Sequence, residues 1–174
     1  RVINTEGKMV LPGFHDAHLH TFMGGRSLVG CDVANAPDIE STEAILKSCL
    51  VSSSSWLVAE GLNLAFFGES GPLLDWLNVI AGDRPMLLRA SDGHSVAVNT
   101  VALKMANITA ATSAPPSGVI ERDEYGEPSG TFRESAMALV EQVVPQLTEQ
   151  ERLNVMRTAI DAINKAGITS VFDA

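Results

Sequence analysis

Apolar positions along this chain recur with two different periods. Between residues 148 and 167, Leu153, Met156, Ile160 and Ile163 fall at helical spacing. Thr148 and Glu151 form a capping box ahead of them, and Gly167 follows where a helix would end. The run Ile168-Thr-Ser-Val-Phe-Asp173 comes next and reads as a buried strand. A helix, a glycine stop and a strand predict an α/β unit of the kind that builds a parallel sheet. Residues 14–20 read as another strand, with Phe14, Asp16, His18 and His20 on one face and His15, Ala17 and Leu19 on the other.

The stretches between these are less regular. Lys8-Met-Val-Leu11 predicts a short strand closed by Pro12-Gly13, and residues 21–30, with Gly24, Gly25 and Gly30, read as loop. A helix is expected over 41–59, weakened by the serine run 52–55, and a shorter one over 73–80. A strand at 86–90 precedes Ser91-Asp-Gly-His94 and then a helix over 97–106. Residues 109–117 read as loop. Residues 119–122 and 129–132 flank Asp123-Glu-Tyr-Gly-Glu-Pro128 and predict a β-hairpin, followed by a helix over 134–144 that ends at Pro145. No internal repeat or low-complexity tract occurs.

Composition narrows the picture. With 174 residues, 45% hydrophobic and 19% charged, the chain can build a core, and 5% aromatics leave that core to Leu, Val, Ile, Ala and Met. The formal charge of −9, without a cluster of Lys or Arg, argues against a nucleic-acid partner. No stretch approaches the ~18 apolar residues of a membrane span. Cys31 and Cys49 have no paired metal-type spacing and suggest no disulfide framework, so a reducing, cytoplasmic compartment is expected. The chain opens on Arg-Val-Ile-Asn and stops on a strand, and both ends read as cuts.

Chemistry concentrates at two places. His18 and His20 are two apart on an expected strand, so both imidazoles project from one face and two ligands for a metal such as zinc come from one rigid element. Asp16 shares that face, either as support for a ligand imidazole or as a strand-entry residue satisfying turn amides. His15 points the other way and is expected to be structural or solvent-facing. His94 follows the strand at 86–90, at the end where ligands collect in parallel α/β folds, and is a candidate for substrate binding. Asp92 and Asn99 join it as weaker candidates: Asp92 serves equally as a helix cap, and Asn99 as a residue that holds the loop. Glu134 is the one acidic residue of the middle segment that invites attention, against the simpler role of a first-turn helix glutamate.

The context of the histidine pair is more specific than the pair. Leu11-Pro-Gly-Phe-His-Asp-Ala-His-Leu-His20 resembles the Pro-Gly-apolar-x-Asp-x-His-x-His signature that opens the barrel in the amidohydrolase superfamily. Ser91-Asp-Gly-His94 with Val98-Asn99 and Ala102-Leu103, Gly118-Val-Ile-Glu-Arg-Asp123, Gly126-Glu-Pro-Ser-Gly130 and Gly167-Ile-Thr-Ser-Val-Phe-Asp-Ala174 are similar to the branch that contains N-substituted formamide deformylases. The resemblance implies an α/β fold: a fragment of a (β/α)8 metal-dependent hydrolase barrel with a long α/β insertion after the first barrel strand. Residues 1–13 would end a flanking β-sandwich, 14–21 form the first barrel strand, 22–147 the insertion, and 148–174 a barrel helix and the next strand. It implies His18 and His20 as ligands of a divalent metal, zinc first, in a parent enzyme that hydrolyses an amide or formamide-like C–N bond of a small molecule. A deaminase or cyclic amidase is the neighbouring alternative. The two further histidines, bridging lysine and Asp base of that mechanism would lie beyond Ala174, so no catalytic residue is expected within this chain. Bare barrel edges predict a homo-oligomer, and an inactive binding or assembly module is the rival from another class.

Overall fold

The computed structural model describes residues 2–52, 55–68 and 71–174, with Ser52 described by its backbone alone. In chain order the first elements are β1 (Phe14–Leu19), α1 (Thr21–Val29), β2 (Cys31–Asp32), α2 (Ile39–Ser52), β3 (Leu57–Leu62), α3 (Leu74–Ala81) and β4 (Met86–Ala90). They are followed by β5 (Ser95–Val98), α4 (Thr100–Met105), β6 (Gly118–Arg122), β7 (Pro128–Glu134), α5 (Ala138–Glu141), α6 (Glu149–Lys165) and β8 (Ile168–Asp173). The chain divides into two compact units, one formed by Arg1–Val29 with Thr148–Ala174 and the other by Gly30–Leu147. No helix among the described residues is long and apolar enough to cross a membrane.

In the first unit β1 and β8 pair in parallel, Phe14 opposite Ile168 and Leu19 opposite Asp173, with irregular register between. The capping box of α6 forms as its residue types dictate: Glu151 N donates to Thr148 Oγ1 at 3.3 Å, and Thr148 N donates to Glu151 Oε2 at 2.7 Å. The buried residues of α6 are Val155 and Ala159, whereas Leu153 and Ile160 of the expected stripe stay exposed. Val155 and Ala159 meet α1, which corrects the loop expected over 21–30. Gly25 is buried there, and a Cβ at that position would lie 2.6 Å from Val155 O. One of the glycines that argued for a loop, Gly25, therefore lets two helices approach, and packing outweighs its low helix propensity. The strand expected at 8–11 does not form: Met9 and Val10 are exposed and outside any sheet. Phe14 and Phe172 are also exposed, 56% and 68%.

The second unit is built on a six-stranded sheet in the order β2-β3-β4-β5-β7-β6, parallel across β2, β3 and β4 and antiparallel beyond. Alternation along its strands divides the core. Met86 and Leu88 of β4 join Leu46, Leu57, Leu77 and Ile80 in one cluster, while Leu87 joins Val96, Val98, Leu103, Phe132 and Val140 in another. The single helix expected over 41–59 is corrected to α2 followed by β3. Leu57, Ala59 and Leu62 are buried, so that stretch is a fully covered parallel strand whose apolar run imitates a helix. Ser53 and Ser54 of the serine run lie outside the described residues. The helix expected from 97 is corrected to β5 and then α4, because Val96 and Val98 pair across β4. The expected hairpin forms as β6 and β7. The helix expected over 134–144 shrinks to a 3₁₀ turn at Ser135–Met137 and the short α5, since β7 extends to Glu134.

Cys31 and Cys49 are joined in a disulfide, with Cα atoms 5.8 Å apart. This corrects the reading that the two cysteines suggest no disulfide framework, and removes the ground on which a reducing compartment was expected. Sequence spacing could not show it, because α2 folds Cys49 back over β2.

Candidate functional site

His18 lies on β1 and His20 one residue beyond its end. Their rings are neighbours, centroids 5.2 Å apart and nearly perpendicular. His20 is held by the end of the neighbouring strand: its Nδ1 is 2.8 Å from Ala174 O, and Ala174 N donates to Leu19 O at 3.0 Å. A carbonyl only accepts, so Nδ1 carries the proton, which in the neutral ring leaves Nε2 as the nitrogen with the lone pair that a metal ligand requires. Asp173 closes the same corner. Its Oδ1 accepts from Thr21 N at 2.7 Å, and that bond holds the carboxyl below its ordinary range. Asp16 accepts from His18 N at 3.0 Å, bracing the backbone rather than the ring.

Two clefts border His20. One, of about 280 Å³, is apolar and lined among others by Leu19, Gly24, Leu28, Ala159 and Ile163. The other, of about 270 Å³, is lined by His20, Phe22, Met23, Arg26, Asp173 and Ala174. Among the described residues no group of three or more His, Cys, Asp or Glu side chains is placed to hold a metal. The donor chemistry of the histidine pair suits a divalent cation, but it supplies two of the three or four protein ligands such sites use.

In the second unit, Asp92, Gly93 and His94 form the turn between β4 and β5. Asp92 Oδ1 accepts from His94 N at 2.8 Å and its Oδ2 accepts from Ser95 Oγ at 2.9 Å, so both oxygens shape the turn. The His94 ring is exposed, with Nδ1 3.3 Å from Glu134 Oε2. Asn99 is fully buried, and the substrate role considered for it is corrected to a structural one. Its Oδ1 accepts from Met86 N at 3.0 Å and Ala102 N at 3.1 Å, and its Nδ2 donates to Arg84 O at 2.8 Å. Three bonds to the backbone from a buried position fit a residue that holds the loop. The roles of Thr21, Asp173 and Ala174 were missed in the sequence. The signal was the Gly167–Ala174 motif, whose acidic end has no meaning until β8 lies beside β1.

The amidohydrolase family model matches residues 1–174. The chain belongs to the amidohydrolase family. It is 31% identical over 173 residues to the protein LONG AFTER FAR-RED 3 of Arabidopsis thaliana, covering 98% of this chain and 30% of that protein. It is 31% identical over 144 residues to the N-substituted formamide deformylase of Arthrobacter pascens, covering 80% of this chain and 27% of that enzyme. An uncharacterized metal-dependent hydrolase from Pyrococcus horikoshii superposes with a TM-score of 0.60 at 26% identity, over 92% of this chain and 30% of that one. The chain therefore spans about 30% of the length of the relatives it matches.

Proposed function

We propose that this chain carries the first two metal ligands and part of the substrate pocket of a metal-dependent hydrolase acting on the C–N bond of a small amide or formamide. The observation that carries this reading is the histidine pair at the C-terminal end of β1, with His20 oriented by Ala174 at the same end of β8. In this proposal β1 and β8 are neighbouring strands of a (β/α)8 barrel, and Gly30–Leu147 is inserted between them. His18 and His20 would hold a divalent cation, zinc in the first instance. Such a cation polarises a scissile carbonyl and lowers the pKa of its bound water. The chain's own residues prepare that step. The Ala174 carbonyl holds the His20 ring through Nδ1, and Asp173 ties the start of α1 to β8. The remaining ligands and the general base belong to the rest of the parent enzyme.

The test is metal content and formate release from N-benzylformamide by the full-length protein, with His18→Ala and His20→Ala. Each variant should lose stoichiometric metal and at least about 100-fold in turnover, since removing a ligand exceeds the 10–100-fold effect of removing a ligand's support. Full metal content and unchanged turnover in both variants would sink the proposal.

A second reading draws on Phe14 and Phe172, both exposed on the two-stranded sheet. It makes the isolated chain a homo-oligomer that covers this surface with a second copy. Light scattering decides it: a monodisperse monomer at high concentration rejects self-assembly and leaves the hydrolase proposal intact.

A further inference from the structure

His20 stands where a helix ordinarily has its cap. It immediately precedes α1, and its carbonyl accepts from Gly24 N at 2.9 Å, the first bond of that helix. Ser, Thr, Asp or Asn is favoured at such a place, because a short side-chain oxygen takes one of the orphan amides of the first turn. The His20 imidazole does not serve in this way. It is turned across to β8, with Nδ1 2.8 Å from Ala174 O. The Thr21 amide is taken instead by Asp173 Oδ1, at 2.7 Å and 152 positions away in sequence. A carboxylate suits that place, since a helix N-terminus is the positive end of its dipole and a charge-assisted bond is stronger than a neutral one. On the other side of His20, Ala174 N donates to Leu19 O at 3.0 Å. Leu19, His20 and Thr21 are thus each tied to the last two residues of the β8 segment. The bond to Leu19 fixes the end of β1, and the bond to Thr21 fixes the direction in which the chain leaves it.

We propose that Asp173 is a positioning residue for metal binding: by capping α1 from β8 it holds His20 beside His18 so that both imidazoles serve one cation. The inference rests on the reading of His18 and His20 as metal ligands, and it adds the residue that keeps the second ligand in place. His18 needs no such help, because it lies within β1 and Asp16 braces its amide. His20 lies one residue past the strand, at the junction with a helix that has no cap of its own in the adjoining sequence. Without Asp173 the first turn of α1 frays, and the ligand at its head loses its fixed place. Sites that bind metal tightly hold their ligands within about 0.5 Å of the productive geometry, so a loosened junction costs affinity.

The experiment measures zinc affinity of the full-length protein by chelator competition, together with amide hydrogen exchange across residues 19–25 of the metal-free form. Asp173→Ala should speed exchange at the start of α1 and raise the zinc dissociation constant about 10–100-fold, the effect of removing a ligand's support. Asp173→Asn keeps an oxygen that accepts from Thr21 N, and should restore both slow exchange and most of the affinity. Thr21→Pro removes the donor instead of the acceptor, at a helix position that tolerates proline, and should weaken zinc by a similar factor even if Asp173→Ala fails to fold. Unchanged zinc affinity in Asp173→Ala or in Thr21→Pro overturns the positioning role, whatever the exchange rates do. A loss in Asp173→Asn as large as in Asp173→Ala overturns it too, since charge and not the bond to Thr21 would then be acting. Zinc held as tightly by His20→Ala as by the unaltered protein removes the ligand reading itself, and the inference with it.

Discussion

Replacing Asn99 by Ala separates a structural residue from a substrate contact without any ligand present. The substitution removes an N-cap, worth about 1 kcal/mol. It also strands Met86 N in a buried position, at roughly 1–3 kcal/mol when left without a partner, and removes the partly buried bond to Arg84 O. These losses overlap, and a total of about 3 kcal/mol is expected, a large share of the ~5–15 kcal/mol that holds a typical domain. Urea unfolding followed by tryptophan fluorescence is a suitable assay, because Trp56 and Trp76 both pack on the cores of the unit that contains Asn99. The midpoint should fall with the slope unchanged. Asn99→Ser retains a cap oxygen but cannot reach Met86 N and Arg84 O together, and should lose an intermediate amount. An Asn99→Ala protein within about 1 kcal/mol of the parent would refute the reasoning, since a buried amide that makes three backbone bonds cannot be that dispensable.

Three further expectations follow from the same structure. Arg89 faces Glu60 at 3.3 Å and Glu141 at 3.0 Å from a mostly buried position, so Arg89→Met should destabilise by about 3 kcal/mol in urea, and adding Glu60→Gln should recover part of it. The Cys31–Cys49 bridge closes a separation of 18 residues, so a reductant should lower stability by about 3 kcal/mol; an unchanged melt would show that the bridge adds nothing. The Glu151 carboxyl lies below its ordinary value because the Thr148 hydroxyl and then the Thr148 N–H donate to it. A depressed folded pKa adds stability above the ordinary Glu value of about 4.3 and loses it as pH falls through the lower folded value. The first turn of α6 should therefore fray in acid by NMR, and Glu151→Gln should flatten that dependence.

What the sequence determined on its own was local. The capping box, Gly167 and the strand after it are specified by neighbours in the chain, so α6 and β8 form where they were expected. The histidine pair and its signature likewise need only a two-residue spacing, and the hairpin of β6 and β7 needs only its turn. Tertiary structure decided the rest. Gly25 reads as loop, but the α1–α6 contact makes it helical, because close approach rewards the absence of a side chain. Residues 57–59 read as the end of a helix, but burial makes them part of a strand, because a short apolar run has no period to distinguish the two. Asn99 and His94 differ in role because one points into the sheet and the other into the turn, which composition cannot express. The Ala174 carbonyl against His20 and the Glu134 carboxylate against His94 join residues far apart in sequence. A chain read in order shows which donors and acceptors exist, and only the fold decides which of them meet.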